Sequence, residues 1–110
     1  DIDGTLITNS SHHFPPYMGS GEPIENNIDF LAELHEQGKT RIILTTSRPE
    51  KYRQLTIMEL QTKGVPFDEL VMSLPHCQRI IINDFARSNQ YPSCKSINIP
   101  RNTDDLKEYF

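Results

Sequence analysis

Long hydrophobic runs are missing from this sequence. No apolar stretch approaches the roughly 18 residues of a membrane span, and no signal-peptide pattern is visible. Basic residues are in short supply as well. Lys and Arg number 11 against 15 Asp and Glu, giving a net charge of −4 and a pI near 5.5. That balance argues against a nucleic-acid or anionic-membrane surface. The two cysteines, Cys77 and Cys94, have no metal-ligand spacing and need not pair. Two thiols without a secretory signal suggest a reducing interior, so the expected compartment is the cytoplasm. Internal repeats and low-complexity tracts are absent too. What remains is a chain of 110 residues, 35% hydrophobic and 24% charged, sized for one domain with one core.

The most informative residues present are the first six, Asp1-Ile2-Asp3-Gly4-Thr5-Leu6. Side chains at i and i+2 of a strand share a face and i, i+1 oppose, so a turn past the strand end decides where each carboxylate finally points. Gly4 frees that turn to bring Asp3 over the same crevice as Asp1. One carboxylate can then attack phosphorus and hold a cation, while the other moves a proton. A solvated turn is the plainer reading, because Asp and Gly are ordinary turn residues. A calcium loop fails on pattern: Gly4 comes early, and His12 stands where the closing Glu belongs. A carboxylate pair of this kind is normally delivered by a buried strand, so a natural first strand is expected ahead of Asp1.

Residues 7–22 carry Pro15, Pro16, Gly19, Gly21 and the pair His12-His13, and read as a loop or flap. From Pro23 to Gln37, the positions Ile24, Ile28, Leu31, Ala32 and His35 follow helical spacing, with Gly38 as the stop. Arg41–Thr46 is expected to be a strand buried on both faces. Pro49 opens a second helix ending at Gly64, with Tyr52, Leu55, Met58 and Ile57 turned inward. Leu70–Met72 is a brief strand candidate. Arg79–Asp84, with three consecutive isoleucines, gives the clearest β signal, and Lys95–Ile99 alternates at period two. Thr103, Asp104 and Asp105 cap a last helix. Alternating strands and helices imply parallel strands joined by right-handed crossovers, hence an α/β three-layer sandwich.

In an open parallel sheet, ligands bind beyond the carboxyl ends of the strands. Three polar clusters are expected there: Asp1/Asp3, Thr45-Thr46-Ser47-Arg48, and Asn83-Asp84. Together they resemble the haloacid dehalogenase (HAD) superfamily of phosphohydrolases. Asp1–Leu6 is similar to its D-x-D-G-T-[LV] motif, Leu44–Pro49 to its T-[GSA]-R-P motif, and Ile82-Asn83-Asp84 to its acidic fourth motif. The resemblance implies a HAD-like Rossmannoid sandwich with a mainly parallel sheet. It implies Asp1 as nucleophile and Mg²⁺ ligand, and Asp3 as general acid/base with its carbonyl on the metal. Thr46 would donate to the phosphoryl oxygens, with Thr45 as the fallback in register. The helix opening at Pro49 would add backbone N–H groups, and Asp84 would complete the protein's share of Mg²⁺.

Two departures from the family pattern stand out. Ser88 and Asn89 occupy the place of a later acid, and Leu74 of Ser73-Leu74-Pro75-His76 falls where a basic residue is usual. Arg79 is the candidate replacement, with Lys51, Lys63 and His76 behind it; a solvated charge at a strand start is the equal alternative. Arg48 either touches phosphate or pins its loop. His76 and Arg87 are candidates for the entrance, and Arg101 with Asn102 for closing the last strand.

Neither gap between the motifs has room for a cap domain, so an open site is expected. Capless relatives act on large substrates or on sugar phosphates, which suggests a phosphomonoesterase acting on a sugar phosphate or related metabolite. Phosphotransfer to another acceptor is a variant of this reading. A phosphate-binding or regulatory module that has lost turnover is the alternative from another class, and a truncated domain of a larger enzyme fits either. A homo-oligomer stays open.

Overall fold

The computed structural model describes residues 1–9 and 20–110. The chain is a mixed α/β unit whose regular elements lie mostly in its first two thirds. In order they are helix α1 (Glu25–Glu36), strand β1 (Ile43–Thr45), a 3₁₀ turn (Glu50–Tyr52), helix α2 (Arg53–Thr62), strand β2 (Glu69–Val71) and a closing 3₁₀ turn (Leu106–Tyr109). β1 and β2 pair in parallel, with Leu44 opposite Leu70. The segment around α2 is therefore a crossover between parallel strands, as the alternation of patterns implied.

One core holds these parts together. Ile2, Leu6 and Ile7 from the opening segment meet Ile28 of α1, Ile42 just ahead of β1, Leu44 of β1, Leu60 of α2, and Leu70 and Met72 around β2. Burying one such side chain contributes about 1.5–3 kcal/mol. The sheet is buried on one face. Ile43 and Val71 lie on the other, 49% and 41% exposed, which corrects the expectation that Arg41–Thr46 is covered on both sides.

α1 follows its predicted stripe through Ile28 and Leu31, and Gly38 beyond it has φ +70°, as a helix stop requires. α2 departs from its own. Leu55 and Met58 point to solvent, while Thr56, Glu59 and Leu60 are buried. The reason is a buried polar cluster beneath α2, described below, which turns the helix by roughly one residue step from the apolar reading.

Two expected strands do not form. Ile80, Ile81 and Ile82 belong to no regular element and are highly exposed, and Lys95–Ile99 is likewise outside any strand. Strand propensity reports fit to a pleated neighbour more than an intrinsic backbone preference. Among the described residues the sheet has two strands, and neither segment is paired with it. The last helix shrinks to the 3₁₀ turn at Leu106–Tyr109. Within the loop expected at residues 7–22, Thr8 and Glu22 are joined by two hydrogen bonds of 2.9 Å, and Ile7 bridges Pro23. His12, His13 and the flap proposed around them lie outside the described residues.

Candidate active site

The opening motif folds around a single carbonyl. The N–H groups of Thr5, Leu6 and Ile7 donate to the Ile2 carbonyl at 3.2, 2.9 and 3.1 Å, and Gly4 N–H donates to the Ile7 carbonyl at 2.7 Å. Ile2 is fully buried and anchors the turn in the core. Gly4 has φ +92°, a value that L side chains rarely adopt. The carboxylates on either side of Ile2 consequently border one cleft of about 600 Å³. Thr5 Oγ1 donates to Asp1 Oδ2 at 3.3 Å, steadying the outer acid.

The end of β1 forms another wall. Thr45 and Ser47 border the cleft. Thr46 is 2% exposed, and its Oγ1 accepts the Arg48 N–H at 3.1 Å. Successive side chains of a strand point to opposite faces, so Thr46 and Arg48 go inward while Thr45 and Ser47 go outward. Thr46, expected at the phosphoryl oxygens, is therefore not among the residues bordering the cleft; within this segment the hydroxyl residues that border it are Thr45 and Ser47.

Arg48 is not at the cleft wall either. Its side chain is buried beneath the motif turn, where Nε donates to Asp3 Oδ2 at 2.9 Å and an Nη donates to Asp3 Oδ1 at 2.7 Å. The same Nη reaches Glu59 Oε1 at 3.2 Å, and Lys63 Nζ lies 3.4 Å from that oxygen. Such a fork onto a carboxylate is a strong, directional pairing. Burial works to lower the Arg48 pKa, but hydrogen bonds and charge from Asp3, then Glu59, outweigh it and hold it above its ordinary value. Of the two sequence readings of Arg48, pinning is the one its contacts match.

The remaining candidates divide. Arg79 and His76 border the cleft, and Arg79 also donates to the carbonyls of Pro75 and Cys77. Lys51 lies over the Tyr52 ring, 5.0 Å from its centroid, and Lys63 is spent on Glu59. Arg87 and Asp84 are exposed and are not among the residues bordering the cleft. Asp84 is absent from it because Ile80–Ile82 does not join the sheet, so no strand end carries it to Asp1. The Glu50 N–H donates to Ser73 Oγ at 2.7 Å, which engages an amide expected to face phosphate. Among the described residues, no group of three or more His, Cys, Asp or Glu side chains is placed to hold a metal ion.

Nothing in the sequence hinted that the segment around Arg101 borders the cleft. Arg101, assigned only to the end of a strand, borders the cleft beside Gly4. Asn102 N–H donates to the Gly4 carbonyl at 2.8 Å, and the Asn102 side chain takes the Asn9 N–H at 2.7 Å. Asn27, fully buried on α1, donates to the carbonyls of Thr5 and Thr103 at 2.8 Å each and accepts the Leu106 N–H at 3.1 Å. The signal for these ties is three separate asparagines, Asn9, Asn27 and Asn102, of a residue type that bonds backbone locally and tolerates left-handed conformations. No protein-family model, curated protein or solved structure matches this chain.

Proposed function

We propose that the protein is a phosphomonoesterase of HAD-like type, working through an aspartyl-phosphate on Asp1. The observation that carries this is the meeting of Asp1 and Asp3 with the hydroxyls of Thr45 and Ser47 and a guanidinium, Arg79, around one cleft. An Asp1 oxygen attacks phosphorus as the bond to the leaving oxygen breaks. Asp3 gives that oxygen a proton, then takes one from the water that attacks the aspartyl-phosphate and frees orthophosphate. Asp3 must release at least one Arg48 bond to do so, and Glu59 stays behind to balance the guanidinium. Thr45 and Ser47 donate to the phosphoryl oxygens.

Mg²⁺ belongs to this reading. It typically takes one or two carboxylates and completes its shell with phosphate oxygens and water. The Asp1 carboxylate and the hard oxygen donors around it suit that share. When bound, the ion would supply the positive charge that lets a carboxylate approach a phosphate dianion. The three-layer sandwich with a mainly parallel sheet and no cap also belongs here, and with it the role of Asp84. Its support is that, among the described residues, β1 pairs along one edge only, together with three exposed isoleucines ahead of Asn83-Asp84. The sandwich requires Ile80–Ile82, which lie outside any strand of the structure, to pair with the sheet in solution. Slow amide exchange there is the outcome this reading needs, and unprotected exchange would leave Asp84 out of the site. The polar, uncapped cleft suits a sugar phosphate or related metabolite.

Replacing Asp1 with Asn is expected to abolish Mg²⁺-dependent phosphate release from an aryl phosphate. Activity surviving that change would refute the nucleophile assignment. A binding or regulatory module without turnover is the second reading, favoured by the engagement of both Asp3 oxygens with Arg48. It predicts phosphate binding with no hydrolysis across a broad panel of monoesters.

A further inference from the structure

We infer that Arg101, presented by a turn pinned to the catalytic motif, is the principal phosphate-binding cation of the cleft. The inference rests on the phosphatase reading for its substrate, but its geometry is independent of it. The guanidinium of Arg101 has no hydrogen-bond or ion-pair partner among the described residues. A free cation beside carboxylates in a shared cleft can bind an anion without first breaking a bond. Arg79 offers less, since its Nη1 already serves the Pro75 and Cys77 carbonyls and only Nε and Nη2 are left for an anion.

The placement of Arg101 is built rather than incidental. A Cβ on Gly4 would come within 3.0 Å of Arg101 Cγ, so the stem of the arginine lies across the bare backbone of the acid motif. Asn102 holds the turn in place with φ +64°. Its backbone N–H is bound to Gly4, and its amide accepts from the Asn9 N–H and donates to the Asn9 carbonyl at 3.2 Å. Fixing the neighbours of a charged group lowers the ordering cost of using it. The planar fork of a guanidinium suits two phosphoryl oxygens at once. The ligand is therefore a phosphate monoester dianion, held from the side of the Pro100–Thr103 turn rather than from the segment ahead of Ile80.

The test uses the full chain with Mg²⁺ and two probes: orthophosphate binding by calorimetry, and hydrolysis of an aryl phosphate. Arg101→Ala is expected to weaken orthophosphate binding and raise KM by about 10- to 100-fold, the range for a lost charge-assisted bond. Arg101→Lys should recover part of the loss, and Arg79→Ala should cost less than Arg101→Ala. Asn102→Gly keeps the left-handed turn but removes both amide bonds to Asn9, so KM should rise although the guanidinium is intact. Arg101→Ala binding orthophosphate within twofold of the unmodified protein would overturn the inference, whether or not the protein hydrolyses anything. Unmodified protein that binds orthophosphate but hydrolyses no ester would refute the phosphatase reading alone, and the binding ratio would still decide Arg101. Absence of orthophosphate binding altogether would overturn both.

Discussion

A guanidinium that is only 7% exposed must satisfy its donors from the protein, and Arg48 does so with Asp3, Glu59 and Thr56. The cluster is a cost as well as a support, because two buried charges lose more hydration than an isolated contact returns. Removing one member leaves the other stranded. Arg48→Met is expected to lower stability by about 3 kcal/mol, read as a drop in the urea midpoint. The Arg48→Met/Glu59→Met double variant should recover part of that loss, since two apolar side chains then fill the space. A double variant less stable than either single one would contradict this account. The same residue shows what a sequence does and does not reveal. The pairing of Thr-Thr-Ser-Arg with a D-x-D motif singled out residues of which Asp1, Asp3, Thr45 and Ser47 border one cleft. Which threonine faces outward was not legible, because one residue of strand register reverses every side chain. Arg101 was illegible for a different reason: its place depends on Asn102, Asn9 and Gly4 meeting across the length of the chain.

At the scale of elements, the join between α1, β1 and β2 turns on Asp68. Its carboxylate accepts the Ile42 N–H at 2.7 Å, one residue ahead of β1, and His35 Nε2 of α1 lies 3.3 Å from its other oxygen. The Ile42 N–H first, then His35, hold the Asp68 carboxyl below its ordinary pKa. A carboxyl whose folded pKa is depressed stabilises the fold above its unfolded pKa, about 4. That stability is lost as pH falls through the lower, folded value. Urea midpoints measured downward from about pH 5 should therefore fall, and Asp68→Asn should flatten the slope. An unchanged slope would show that Asp68 is not the linkage. Helix periodicity located α1 because its glycine stop and its core stripe agree locally, and it located the extent of α2 through the stop at Gly64. It misplaced Leu55 and Met58 because burial of Thr56 and Glu59 answers to Arg48, which lies outside the helix. The isoleucine run failed as a strand for a related reason. Its apolar character says that it can be buried, and only a neighbouring strand can supply the ladder.

Over the whole molecule, the first two thirds supply the core and the two-stranded sheet, while the last third reaches the cleft through turns. Arg79, Ile99 and Arg101 come to it from outside any regular element. The excess of acidic residues is compatible with anion binding because the cations are gathered locally: Arg79 and Arg101 both border the cleft that holds Asp1 and Asp3. Attraction at such a site should weaken with salt, since exposed charges are screened beyond roughly 8 Å at physiological ionic strength. No helix among the described residues is long and apolar enough to cross a membrane. The central claim is that a covalent bond forms between phosphorus and Asp1. Rapid mixing of the full chain with Mg²⁺ and an aryl phosphate, followed by borohydride, converts an acyl phosphate to an alcohol and marks the attacked carboxyl. Peptide mass analysis should then find homoserine in place of aspartate at position 1. Phosphate release with Asp1 unmodified, or with the mark at Asp3 or Asp84, would contradict the account.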